Sequence, residues 1–295
     1  MTKARTSYNW ISPRPQPGRG PLRTALLMLA FAIFTCSGCS HSPSPEENQP
    51  PATTPAPNSS VDVKAVMDKY AALDTSHNSA IKLKAKIQRA DGSSEQVEFT
   101  MYREHEADGS QHLLVEFTAP PEERDRDALI NVSPAGDIEA IRYGQATKGF
   151  LTAKSPTDEE SLFGLTLQEL IGGEPEKYNY RLIGEETDSG TPVYRVEGAL
   201  KPGAESRFPR LVMLIAKDSD TARLIEVYDS HDELTRKLIV DKTEQISGIW
   251  TRTKWTIDNI EQHKKVVFDA GEVKYNQNLP PSIFTKDHLK QIASK

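Results

Sequence analysis

The side chains best able to do chemistry in this 295-residue chain are widely scattered. Its seven histidines, His41, His77, His105, His112, His231, His263 and His288, include no pair at the spacing that sets two metal ligands on one helix face. His105 and His112 flank a turn at Asp108 and Gly109, so they could face each other across a hairpin and begin a metal site. Acidic pairs such as Glu122 with Glu123, Glu159 with Glu160 and Glu185 with Glu186 have the functional groups for acid and base work. In an acidic chain they read as solvated surface, and a hydrolase built on facing carboxylates is the enzymatic alternative. No phosphate loop, dinucleotide fingerprint or nucleophile elbow occurs. The expectation is a protein that is not an enzyme and needs no metal and no cofactor.

Both cysteines, Cys36 and Cys39, close an apolar run from Thr24, and a basic region precedes that run. About 13 residues are too few for a spanning helix, which needs ~20, but they suit the core of an export signal. The ending Cys36-Ser37-Gly38-Cys39 resembles the lipobox of bacterial lipoproteins, with Cys36 where leucine is usual. That resemblance implies a signal peptide over residues 1–38 and acylation at Cys39. Ser40 in the next position implies export to the outer membrane, facing the periplasm. An ordinary secretory signal or an uncleaved anchor is the alternative. Residues 39–60 then form a linker with six prolines between Pro43 and Pro57, too polar to bury a core.

Residues 61–295 carry the patterns of one folded domain. Val63, Val66, Met67, Tyr70 and Leu73 make the stripe of an amphipathic helix, which Ser60 can cap. Ile81, Leu83, Ala85 and Ile87 alternate with Lys82, Lys84, Lys86 and Gln88, a period-two strand. Turns at Asp91-Gly92 and Asp108-Gly109 lead into Val97, Phe99 and Met101 and then Leu113, Val115 and Phe117. Further strands are predicted at 128–133, 137–143, 178–186 and 192–200, and a β-meander runs from Phe208 to Asn276. Between the halves, Thr166 and Glu169 form a capping box for a short helix over 161–171 that ends at Gly172. At the C-terminus Phe284 and Leu289 are placed as a hydrophobic staple about Thr285. Twelve candidate strands with few helices describe a large antiparallel sheet with helices laid on one face.

Charge narrows the partners. The chain has net charge −6, and its first 38 residues hold five basic and no acidic side chains, which leaves −11 on the remainder. Such a balance disfavours nucleic acid and anionic membrane surfaces.

Two stretches carry a family resemblance: residues 161–186 (SLFGLTLQELIGGEPEKYNYRLIGEE) and residues 210–289, with KDSDTARLIEVYDSHDELTRKLIV, GIWTRTKWTIDN and GEVKYNQNLPPSIFTKDHL. They resemble the outer-membrane lipoprotein-sorting (LolA-like) family. The resemblance implies an α+β, mostly β fold: a strongly curved, unclosed antiparallel sheet, a half-barrel of about 11–12 strands, with helices covering its concave side. It also implies an apolar cavity for acyl chains of lipoproteins or other lipids, with envelope transport proteins as further partners. The large residues Phe99, Met101, Phe117, Leu214, Trp255, Ile257 and Phe268 are the candidate lining. Alternation alone reads the same residues as a closed core. The chain departs from the family between Asp137 and Gly149, where relatives carry a tryptophan-rich strand and clustered arginines and this chain has the single Arg142. The expected function is acyl-chain binding by a lipid-anchored envelope protein in sorting to the outer membrane. The alternative is a sensor or transporter-associated interaction module with a filled cavity.

Overall fold

The computed structural model describes residues 61–154, 160–162, 165–166 and 175–294. The signal peptide, Cys39 and the proline-rich linker lie outside the described residues, as do Glu169 and Gly172.

The described chain starts with helix α1 (Val63–Ala71), whose N-terminal N–H groups are capped by Asp62: its carboxylate accepts from Lys64 N at 2.9 Å. The cap is Asp62, not Ser60, and Leu73 lies beyond the last turn. Strands β1 (Asn78–Gln88), β2 (Ser94–His105), β3 (Gln111–Ala119), β4 (Ala128–Val132), β5 (Ile138–Gly144) and β6 (Gly149–Lys154) form a first meander. Strands β7 (Glu160–Leu162) and β8 (Leu165–Thr166) pair separately, where the sequence predicts the opening of a helix. A second meander runs through β9 (Tyr178–Asp188), β10 (Thr191–Leu200), β11 (Arg210–Ala216), β12 (Ala222–Tyr228), β13 (Leu234–Ile246), β14 (Ile249–Asn259) and β15 (Lys264–Tyr275). Helix α2 (Lys286–Ala293) ends it, capped by Thr285, whose hydroxyl accepts from His288 N at 3.2 Å.

The large sheet has 13 strands in the order β6-β5-β4-β3-β2-β1-β15-β14-β13-β12-β11-β10-β9, all pairs antiparallel. It is curved and unclosed, because β6 and β9 are its two edges. The strand beyond the expected twelve is β6, whose short sequence GFLTAK has no period-two alternation. Tight turns keep neighbours antiparallel. Asp91 and Asp108 each accept a hydrogen bond from the backbone two residues on, and the glycine after each takes positive φ (+80° at Gly92, +90° at Gly109).

Register divides the sheet into two faces. Met213, Ile225, Leu238, Ile257, Val266 and Ile87 follow one another across paired strands, and the same face continues through Ala85, Val97, Phe99, Phe117, Val115 and Ala128. Helix α1 packs Val66 and Met67 against this first face, over Val196, Met213 and Ile215. Helix α2 packs Leu289, Ile292 and Ala293 against Leu114, Leu129, Ile141 and Tyr143. Leu114 neighbours Val115 in β3, so its side chain is on the second face. The two helices therefore pack on opposite faces, and helices jointly covering the concave side are not seen among the described residues. Strand β3 is enclosed from both sides: Leu113, Leu114 and Val115 are all fully buried. Over β1 the second face is wet, with Lys82 paired to Glu272 at 2.6 Å and Lys84 to Glu98 at 3.0 Å. Exposed pairs of this kind contribute about 0–1 kcal/mol each, so burial of the apolar face stabilises the sheet far more.

Candidate functional site

The first face gathers its large apolar side chains at the centre of the sheet, where the meanders join. Leu83 stands opposite Phe99, Phe99 opposite Phe117, Ile81 opposite Met101, Ala85 opposite Phe268, and Phe268 opposite Trp255. Directly opposite residues have Cβ atoms about 5 Å apart, so the rings touch. Phe99 and Phe117 meet at 5.5 Å between ring centroids, and Trp255 stacks on Phe268 at 5.0 Å with 12° between the planes. Ile257 joins them, and Met101 and Trp255 pack at the margin, half-buried.

Six of the seven candidate residues thus share one cluster. Leu214 does not. It pairs with Leu224, beside Met213 and Ile225 of the first face, so it lies on the second. The run Leu211 to Ala216 is buried on both faces, which hides the parity of each residue in the sequence. Sequence reasoning omitted Leu83, Ala85, Ile87, Val97, Val115 and Val266 from the site, although they belong to the same cluster. Their signal was the period-two alternation itself.

Toward one end of the central strands the same face turns polar. Ser79 pairs with Arg103 on one side and Tyr275 on the other, continuing the parity of Ile81 and Met101. Tyr275 Oη and Thr251 Oγ1 are 2.8 Å apart. Arg103 Nη1 stands 3.8 Å from Asp74 Oδ2, and His105 Nε2 stands 3.9 Å from the same oxygen. The other oxygen of Asp74 accepts from Ser76 N at 3.1 Å and Ser76 Oγ at 2.6 Å. Arg103 Nε and His105 Nε2 are buried and have no hydrogen-bond partner among the described residues. Burial, with Arg252 adding to it, holds the Arg103 guanidinium below the usual arginine range. Burial and the Arg103 charge push the His105 imidazole below its ordinary value, which keeps it neutral at pH 7. The signal for this belt was Arg103 and His105 continuing the inward series Val97, Phe99, Met101.

His105 and His112 do not meet. His105 pairs with Gln111 and His112 with Glu104, and seven positions apart on the paired strands they point to opposite faces. His112 Nδ1 instead lies 2.8 Å from Asn131 Oδ1, in a polar groove of about 500 Å³ that includes Ser133, Asp137 and Glu139. Among the described residues no cluster of three or more His, Cys, Asp or Glu side chains could hold a metal ion. A smaller pocket of about 220 Å³ beside Phe117 contains Asp127. Burial pushes the Asp127 carboxyl up to about 7, against the lowering effect of the Phe117 N–H it accepts at 2.7 Å.

Comparison with known proteins bears on this geometry. A family model described as an uncharacterized protein matches residues 109–291. No curated protein matches the chain. Among solved structures, a DUF1329 family protein from Desulfovibrio piger is 26% identical with a TM-score of 0.66, over 77% of this chain and 98% of that one. An outer membrane lipoprotein-sorting protein domain from Vibrio parahaemolyticus is 18% identical with a TM-score of 0.69, over 77% and 97%. A LolA superfamily protein from Nitrosomonas europaea is 15% identical with a TM-score of 0.60, over 77% and 99%. The last two likenesses are of fold, and they share the unclosed antiparallel sheet whose central face has just been described. With the family model spanning more than half of its length, this chain belongs to the family that the model describes, an uncharacterized one, and it shares its fold with outer membrane lipoprotein-sorting and LolA superfamily structures.

Proposed function

We propose that this protein is a lipid-anchored component of the cell envelope that binds acyl chains on the apolar face of its sheet, without a covalent step, and acts in lipoprotein or lipid sorting to the outer membrane. The observation that carries this reading is the continuous apolar cluster of Phe99, Met101, Phe117, Trp255, Ile257 and Phe268 on one face of the sheet centre. A hydrocarbon chain laid against such a surface gains ~0.8 kcal/mol per buried methylene before ordering costs. Acylation at Cys39 would fix the protein at the membrane, which suits an acceptor or local chaperone better than a diffusing carrier. The fold-level likeness to lipoprotein-sorting proteins supports the same assignment.

A second reading rests on burial. Phe99, Phe117 and Phe268 are only 2%, 1% and 3% exposed, as in a face already filled by the protein itself. That favours an interaction module that keeps the sheet and binds a protein partner in the envelope. Solvent extraction of the full chain, purified from its membrane without exogenous lipid, separates the two. The lipid-binding reading expects at least one non-covalent acyl chain per protein, released by neutral organic solvent. Protein free of such lipid that also takes up no fluorescent fatty acid would leave the interaction module standing.

A further inference from the structure

The polar belt at the end of the apolar face is built in a way that hydrocarbon binding alone does not require. A half-buried arginine whose Nε is itself buried and unpartnered costs free energy, because the desolvation of that N–H is not offset by a hydrogen bond. Its nearest carboxylate, on Asp74, is 43% exposed, engaged with Ser76 and 3.8 Å away, beyond hydrogen-bond distance. Nε and a terminal nitrogen of arginine form the planar fork that matches two oxygens of a carboxylate or phosphate. His105 Nε2 is a second unpartnered nitrogen two residues along the strand, Ser79 stands across from Arg103, and the Gln111 amide stands across from His105. Two residues along a strand span about 7 Å, so Arg103 lies one such step from Met101 and two from Phe99.

We propose that Arg103, with His105 and Ser79, binds the oxyanion head of an amphiphile whose hydrocarbon tail enters the apolar face at its half-buried margin, beside Ile81 and Met101. This rests on the acyl-chain reading above and adds a head-group class to it: a carboxylate or phosphate ester, not a neutral glyceride. Among the described residues Asp74 is the carboxylate within 4.0 Å of both the Arg103 and His105 side chains, so it opposes the incoming anion.

The test uses the full-length protein, delipidated, and cis-parinaric acid against its methyl ester, which share a tail and differ in head charge. The acid is expected to bind on the order of tenfold or more tightly than the ester. Arg103→Met should remove that preference and leave ester affinity unchanged, whereas Asp74→Asn, at an exposed position, should strengthen acid binding alone. Competition by lysophosphatidylglycerol and by monoacylglycerol identifies the head: displacement by the first alone supports phosphate, and a preference confined to parinaric acid supports carboxylate. Equal binding of acid and ester that neither substitution alters overturns the head-group site while leaving acyl-chain binding intact. Binding of neither probe overturns the acyl-chain reading itself. Should Arg103→Met fail to fold, the Asp74→Asn response decides.

Discussion

Asp127 keeps one oxygen on the Phe117 N–H and the other without a partner among the described residues, at 2% exposure. Burial raises its folded-state value to about 7 from an ordinary 3.8. Between those values the unfolded chain releases the proton and the folded chain holds it, so this group lowers stability as pH rises through the window, and the full loss stands above it. Asp127→Asn keeps the acceptor for Phe117 and removes the charge. Urea unfolding at pH 5 and pH 8 is expected to show the variant gaining on the wild type as pH rises, by an amount on the order of a few kcal/mol. A gap that does not change with pH would mean that Asp127 is already ionised in the fold. At this scale the sequence was readable wherever parity was. Phe99, Phe117 and Ile257 alternate with polar neighbours, which sets them on one face, whereas Leu214 sits in an unbroken apolar run that hides which face it takes. Arg103 was passed over because a charged residue on a strand reads as outward, although its parity said inward.

Strand identity was largely legible, because Asx-Gly turns and period-two runs are local signals. β6 escaped because an edge strand with exposed Phe150 and Leu151 carries no alternation. The side of the sheet taken by each helix was not legible either. Amphipathic stripes in α1 and α2 show that each buries a face, while the register that separates those faces depends on long-range pairing. Within the β9–β10 pair, Gly198 stands opposite Tyr180, and a methyl group there would lie 2.9 Å from both the Tyr180 ring and Leu211 Cδ1. The missing side chain gives the Tyr180 ring its place beneath α1, in the cluster with Val66 and Met67. Gly198→Ala should therefore destabilise by about 1–3 kcal/mol, the usual cost of overpacking. Chemical denaturation checks this: an unchanged or raised midpoint would show that Tyr180 and Leu211 move aside freely.

The whole domain is closed by its ends. β1 and β15 join the two meanders at the sheet centre, and beyond them Asn78 Nδ2 donates to Gln277 O at 2.8 Å while Asn78 Oδ1 accepts from Gln277 N at 2.9 Å. These partners are 199 residues apart, so the pairing carries a large loop-closure cost and no local sequence pattern announces it.

Attachment to the envelope is a separate question at the same scale, and it turns on Cys39 against Cys36. One acyl chain holds a protein to a membrane only marginally, whereas two or more hold it stably. A processed, multiply acylated Cys39 thus predicts a protein that sediments with membranes, withstands salt washing and dissolves only in detergent. Cys36→Ala should leave this behaviour and the mass of the N-terminal lipopeptide unaltered, because Cys36 lies in the removed signal. Cys39→Ala should abolish the lipopeptide and the processing that depends on it. If instead the Cys39→Ala protein is cut normally and leaves the membrane fraction unchanged from wild type, acylation is not the tether. The binding face would then have to reach lipid by diffusion, as a carrier and not as a fixed acceptor.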